Sequence, residues 1–457
     1  MNLREVGSVY LLGIGGIGMS ALARYFLLQG ARVSGYDKTP TSLTTELIRE
    51  GMHVHFTEDL SALPEKIDLV VVTPAIPKNH QEWSYLKSTG IPILKRSEVL
   101  GIIAREYRTI AVAGTHGKTT TSTLIAHILR SAGVLHVGFL GGISKNYGTN
   151  FLHSVNPLSR DTFCVAEADE FDHSFLHLSP DIAVITSADA DHLDVYHDLE
   201  SLRNSFTAFT ARIRNGGCLI MKEGTGIRPD NPNVTRTTYS LDGNTDYAAA
   251  DLRISGGKVH FSLRTPNGLE EGYVSGIPGR FNIENAVAAA AAAHAAGLSP
   301  DQIREGIRTY QGVSRRFDFR IERKDLIYID DYAHHPEELK ACINAVKELF
   351  PGKQVTGVFQ PHLYSRTRDF AREFGEALSL LDTLILLPIY PARELPIEGI
   401  SSGLIYDQAH PGKKILSSKE DLIRNLKGCK PEVILTMGAG DIDQLSTPII
   451  KAFEQAG

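Results

Sequence analysis

Four cysteines and one tryptophan in 457 residues, with no apolar run of membrane length, are the first absences in this sequence. Cys164, Cys218, Cys342 and Cys429 are widely spaced and form no CxxC pair, so no pattern supports a thiolate zinc site, and three of them sit in apolar or strand-like surroundings that suit buried thiols. Free thiols in a reducing compartment are expected. No stretch reaches the ~18 apolar residues of a membrane span, and the N-terminal MNLREVGSVYLLG has no long apolar segment ending in a small-residue cleavage site. A cytoplasmic chain without membrane association is the expectation. Positive charge is not in excess: Lys+Arg 47 against Asp+Glu 53 gives a net −6. That balance argues against a nucleic-acid or anionic-lipid partner while leaving room for local basic pockets that hold phosphates. There is no HExxH motif, no short-period repeat and no low-complexity linker. What is present, 42% hydrophobic and 22% charged residues, suits a globular protein, and the length calls for two to four domains.

The most informative stretch is Thr109 to Ser131, TIAVAGTHGKTTTSTLIAHILRS. Ile110 to Ala113 reads as a short strand, and Leu124, Ile125, Ile128 and Leu129 place one apolar stripe on a following helix. Between them, Gly114, Thr115, His116, Gly117 and Lys118 let main-chain N–H groups turn inward around an anion. Lys118 adds a point charge and Thr119 a hydroxyl able to ligate Mg²⁺, with Thr120 beside them. Val112 occupies the position of the first glycine of GxxxxGK[ST], so the spacing is a variant of the phosphate loop.

Earlier in the chain, Ser8 to Leu12 reads as a strand, and Gly13, Gly15 and Gly18 form GxGxxG at the head of a helix. A second strand ends before Asp37. This is the layout of a dinucleotide or nucleotide-diphosphate site, with the acid placed to reach a ribose hydroxyl. Beyond the phosphate loop, strands at Thr162–Glu167 and Ile182–Thr186 deliver Glu167, Asp169, Glu170 and Asp172, then Asp189, Asp191, His192 and Asp194. Acids and a histidine at strand ends beside a phosphate loop suit Mg²⁺, a cation of oxygen ligands.

From Asp246 to Pro278 the pattern alternates and carries Gly256-Gly257 and Pro266-Asn267-Gly268 turns, so a small antiparallel patch is expected. Asn282 and Asn285, at the start of an alanine-rich helix, suit either a helix cap or hydrogen bonds to a purine. GVSRRFD (312–318) reads as a junction. A third strand–helix alternation follows, with DDYAHHP (330–336) and QPHLYSRTR (360–368) in loops at strand ends, where parallel sheets bind ligands.

These motifs, together with AEADEFDHSFL, DHLDVY, GRFNIENA, RRFD, FQPHLYSRTRDF, IYPARELPI and ILTMGAGDI, resemble the peptidoglycan-precursor (Mur) ligase family from Val9 to about Leu445. The resemblance implies an α/β fold of three domains. Residues 1–105 would form an N-terminal Rossmann-like nucleotide-diphosphate domain. Residues 106–314 would form a central P-loop ATPase-type domain with the small antiparallel patch, and 315–457 a C-terminal Rossmann-like α/β domain. It implies an ATP-dependent ligase joining L-alanine to UDP-N-acetylmuramate through an acyl phosphate, as a monomer or weak homodimer. The runner-up joins a murein tripeptide to the same sugar nucleotide. A phosphate-loop switch is disfavoured, since a switch needs neither GxGxxG nor a third domain.

By the same resemblance, Gly15, Gly16, Ile17 and Gly18 would hold the UDP diphosphate. Lys118 would contact the transferred phosphoryl group, and Thr119, Glu167 and His192 would ligate Mg²⁺. Asn282 and Asn285 map to adenine, Arg316 to the ATP phosphates and Asp331 to the ribose. His334 and Arg366 map to the substrate carboxylate and acyl phosphate, and Tyr332 and His362 to the alanine side. The chain departs from the family pattern at Ser187, Asp189, Phe281, Ala333, Leu363 and Arg393. Leu363 stands where an arginine is usual, in the amino-acid pocket that the resemblance implies. No lysine lies between Lys145 and Lys222, so the carbamylated lysine of later-acting relatives has no counterpart here.

Overall fold

The computed structural model describes residues 2–154, 159–189, 196, 198–255, 257–392 and 394–454. His192 and Arg393 therefore lie outside the described residues. Three sheets carry the fold. The first has five parallel strands, in the order His53–His55, Arg32–Tyr36, Ser8–Leu12, Leu69–Val72 and Ile93–Lys95. Every residue of Ser8–Leu12 is buried, because a parallel strand covered on both faces must be apolar throughout.

The second sheet has ten strands, and Arg108–Ala113 lies between Ile182–Ile185 and Phe163–Ala168, parallel to both. Its register pairs Val112 with Glu167 and Ala113 with Ile185. The phosphate loop thus leaves the sheet with a strand end on either side of it. At one edge Tyr247–Ser255, Lys258–Thr265 and Gly268–Ser275 are successive neighbours, where alternation placed the small patch. The third sheet pairs Asp318–Glu322 antiparallel with Ile327–Asp331, then continues in parallel through Val433–Met437, Val355–Phe359, Thr383–Leu386 and Lys413–Leu416.

The chain clusters into two compact units, Met1–Leu252, Phe261–Val274 and Glu284–Tyr310 in one, and Arg253–His260, Ser275–Ile283 and Gln311–Gly457 in the other. Within the first unit, a hairpin absent from the sequence reading joins two of the sheets. His136–Ser144 and Thr149–His153 pair antiparallel on the edge of the ten-stranded sheet and pack on the helix Ile17–Leu28. Tyr25 of that helix meets Phe139 and Phe151 at ring-centroid distances of 5.7 and 6.3 Å. Buried Asn150 donates to Ser20 Oγ at 2.9 Å and accepts from Arg24, whose guanidinium also pairs with Glu50 at 2.7 Å.

All four cysteines are free thiols. Among the described residues no helix is long and apolar enough to cross a membrane. The alanine-rich helix begins at Arg280, so Asn282 and Asn285 sit inside its first two turns. That corrects the capping alternative: a cap lies outside the helical residues.

Candidate active site

The phosphate loop is shaped by two glycines in backbone conformations that side chains avoid, Gly114 at φ 134° and Gly117 at φ 81°. A Cβ on Gly114 would stand 2.2 Å from Thr186 Oγ1, and one on Gly117 would stand 2.6 Å from Asn285 Oδ1. Gly117 caps the helix Lys118–Ser131, whose first-turn N–H groups face the loop. The segment after Ile182–Ile185 braces the loop from below. Thr186 Oγ1 donates to the carbonyls of Ala113 (3.1 Å) and His116. Ser187 Oγ accepts from His116 N at 2.8 Å and meets Thr115 Oγ1 at 2.9 Å, and Asp189 N donates to Thr115 Oγ1 at 3.1 Å. Ser187 and Asp189, two of the departures from the family pattern, are thus built into the loop. Thr119 is buried in the first turn, Thr120 follows it, and Asn285 Oδ1 accepts from Thr121 Oγ1 at 3.3 Å.

Lys118 turns its ammonium onto Gly114 O (2.6 Å) and both carboxylate oxygens of Glu170 (2.9 Å each). Glu170 is 0% exposed. Burial alone would lower the lysine pKa, but Glu170, Asp169 and Glu167 outweigh it and hold the ammonium charged. Glu170, one of the acids read as metal-side, is therefore the lysine's clamp. Glu167 lies against Gly141, where an added Cβ would come within 2.0 Å of its Oε2.

The N-terminal glycine loop opens on the same region. A cavity of 250 Å³ is lined by Gly16, Ile17 and Gly18 on one side and by Glu167 and Asp169 on the other. Arg96 also lines it, 3.4 Å from Asp169 Oδ2. Sequence reading missed Arg96, although its position directly after the strand Ile93–Lys95 is a ligand-facing edge of a parallel sheet. Asp37 accepts from Gly15 N at 2.8 Å and from Thr39 N at 3.1 Å, so it shapes the glycine loop as well as ending the second strand.

In the second unit, DDYAHHP gathers its own cluster. Asp331 is buried and accepts from Phe317 N (2.6 Å) and Ala333 N (2.8 Å), which holds Phe317 at φ 50°. Burial pushes Asp330 and Asp331 up to about 6, against the pull of Arg315 and Arg316 respectively. Both guanidinium groups lie over the Tyr332 ring, Arg315 at 5.1 Å and Arg316 at 4.7 Å. His334 packs edge-on against Tyr332 at 5.3 Å and His362 at 6.0 Å, and its Nδ1 lies 3.2 Å from Glu338 Oε2. His362 stacks on Tyr390. Leu363, at φ 72°, precedes the helix Tyr364–Asp369 that carries Arg366. Asn282 donates to Pro278 O at 2.7 Å. Arg315, Glu338 and Tyr390 were not singled out from the sequence.

A braced phosphate loop, a lysine held charged, and a glycine-loop cavity ending at two carboxylates have the layout of a phosphate-loop enzyme. Comparison with known proteins gives the particular group. The model described as Mur ligase family, catalytic domain, matches residues 8–108; the Mur ligase middle domain matches 112–293; and the Mur ligase, glutamate ligase domain, matches 315–440. The UDP-N-acetylmuramate–L-alanine ligase of Porphyromonas gingivalis is 49% identical over 449 residues, covering 96% of this chain and 98% of the relative. That of Cytophaga hutchinsonii is 45% identical over 460 residues, covering 100% and 98%. The solved structure of the corresponding Thermotoga maritima ligase superposes with a TM-score of 0.84 at 25% identity, covering 98% of this chain and 100% of that one. A murein peptide ligase from Psychrobacter arcticus shares the fold with a TM-score of 0.71 at 22% identity, covering 97% and 98%. The chain belongs to the Mur ligase family.

Proposed function

We propose that this chain joins L-alanine to UDP-N-acetylmuramate with hydrolysis of ATP to ADP and phosphate. The observation that supports it most is the cavity running from the glycine loop to Glu167 and Asp169, in a chain so similar along its length to ligases of that name. In this reading the sugar nucleotide's diphosphate rests on the amides of Gly15, Gly16, Ile17 and Gly18, and its carboxylate reaches the acids beside the phosphate loop. A carboxylate oxygen attacks the γ-phosphorus, the bond from that phosphorus to the β-bridging oxygen breaks, and ADP leaves. The alanine nitrogen then attacks the acyl carbon, loses a proton, and expels phosphate. Two anions must meet in the first step, so a charged Lys118 is what the chemistry needs there. Glu170 keeps it so.

The Thr119 hydroxyl and the Glu167 carboxylate are oxygen donors of the kind Mg²⁺ takes, and Mg²⁺ needs few protein ligands because it keeps substrate oxygens and water. Once bound, Mg²⁺ would neutralise phosphate charge. His192, assigned to a second Mg²⁺, stays part of the proposal. So do Asn282, Asn285, Arg316 and Asp331 on the nucleotide, and His334, Arg366, Tyr332 and His362 on the carboxylate and alanine.

The test is ADP release with UDP-N-acetylmuramate and L-alanine, L-serine, glycine or the murein tripeptide in turn. L-Alanine should give the highest kcat/KM. Turnover with the tripeptide alone would move the chain to the recycling reaction, and ATP hydrolysis independent of both co-substrates would make it a switch.

A further inference from the structure

The strand that ends in the phosphate loop begins at Arg108, and around that beginning lies a second, basic groove. Its volume is 910 Å³, and its lining includes Arg4, Arg105, Arg108, Arg160 and Arg214 with Glu106. Two of these arginines are neutralised within the chain: Arg4 by Glu106 at 2.7 Å and Arg214 by Asp181 at 3.0 Å. Arg105, Arg108 and Arg160 have no carboxylate at ion-pair distance among the described residues. Arg108 is held in place over the Phe163 ring at 4.4 Å, and Arg105 reaches the His177 carbonyl at 3.5 Å.

Three uncompensated guanidinium groups in one concavity are unexpected on a chain of net −6. A concave wall of one sign concentrates field, and guanidinium forks match phosphate oxygens in pairs. The groove is separated from the phosphate loop by the length of the strand Arg108–Ala113, roughly 15–20 Å at the usual rise. It therefore belongs to neither the phosphate loop nor the N-terminal glycine loop.

We propose that this groove is a second anion site, taking a small molecule with two or more linked phosphate groups. The groove's volume lies within the usual range for small-ligand sites. Three guanidinium charges spread along a groove of this size suit a partner that carries more than one phosphate group.

Calorimetric titration of inorganic tripolyphosphate into the full-length protein, in magnesium-free buffer, tests this. Wild type should bind at two sites. Lys118→Ala should weaken one, while Arg160→Glu, or Arg105→Ala with Arg108→Ala, should weaken the other by about 10-fold or more, the worth of one charge-assisted contact. Arg160 is exposed, so its variant should fold even if loss of the Arg108–Phe163 contact unsettles the double variant. A parallel titration with UDP distinguishes sources. Weaker binding of a second UDP by Arg160→Glu would show that the groove takes nucleotide diphosphates, whereas an effect on tripolyphosphate alone would show that it takes the inorganic chain. Unchanged binding in the arginine variants would overturn the proposal. So would arginine-dependent adhesion to phosphatidylglycerol vesicles without tripolyphosphate binding.

Discussion

Replacing Lys118 with alanine should damage stability as well as chemistry, and the two losses can be separated. At 2.9 Å from Glu170 and an effective dielectric of about 20, the charge attraction is about 6 kcal/mol before the cost of desolvating both groups. Glu170 is fully buried, so removing the lysine leaves a carboxylate in a place that cannot solvate it. Breaking such a pair from one side typically costs about 3–5 kcal/mol. Lys118→Ala should therefore lower the denaturation midpoint markedly. Adding Glu170→Gln should recover most of the midpoint, since the stranded charge is gone. Ligation should stay lost in both proteins, because a contact to charge developing in phosphoryl transfer is worth ~3–4 kcal/mol in the barrier. Urea denaturation and coupled ADP release would be measured on the same preparations. Near wild-type turnover in the double variant would refute the role given to Lys118. A Lys118→Ala protein as stable as wild type would refute the buried pair.

Gly141→Ala should push Glu167 aside, since the new methyl would overlap its carboxylate, and raise the Mg²⁺ concentration for half-maximal activity by about 10-fold or more. A Mg²⁺ titration of activity checks it. Asp330 and Asp331, raised to about 6 by burial, contribute stability that is fully present below about pH 4, their unfolded range, and lost as pH rises through about 6. Asp331→Asn should flatten that loss, and should also cost about 1–3 kcal/mol because an amide cannot accept from both Phe317 N and Ala333 N; denaturation from pH 4 to 7 reads both effects. Leu363→Arg should lower the KM for alanine or change its preference over serine, and unchanged kinetics would place this side chain outside the amino-acid pocket. With no lysine between 145 and 222, activity should be indifferent to bicarbonate, and a lysine mass increase of one CO₂ would contradict that.

Apolar runs such as SVYLL and TIAVA made the parallel strands legible, because burial on both faces leaves little choice of residue. The hairpin His136–Ser144 and Thr149–His153 escaped notice, since FLGGISKNYGT is rich in glycine and polar residues and alternates poorly. The strand Asp318–Glu322 was not read either: only its first residue fell in the stretch read as a junction, and the rest was passed over. In the site, residue types at strand ends were visible but their partners were not. Lys118 and Glu170 are 52 positions apart, and Arg96 and Asp169 are 73 apart. No periodicity links such pairs; only the sheet order does. Asp37 and Asp331 show the same limit, because their contacts to backbone amides depend on turns that the side-chain pattern does not specify.

The clasp of Arg24, Asn150 and Ser20 has a kinetic consequence. It ties the glycine-loop helix to the sheet that carries the phosphate loop, so the two loops sit in one compact unit. Two reactants fixed on one body have already lost most of their translational and rotational entropy before they react. Loosening the clasp, as in Asn150→Ala, should then leave each ligand's own affinity nearly intact and lower the effective molarity of one toward the other. The defect would appear in the rate of acyl-phosphate formation in a single turnover.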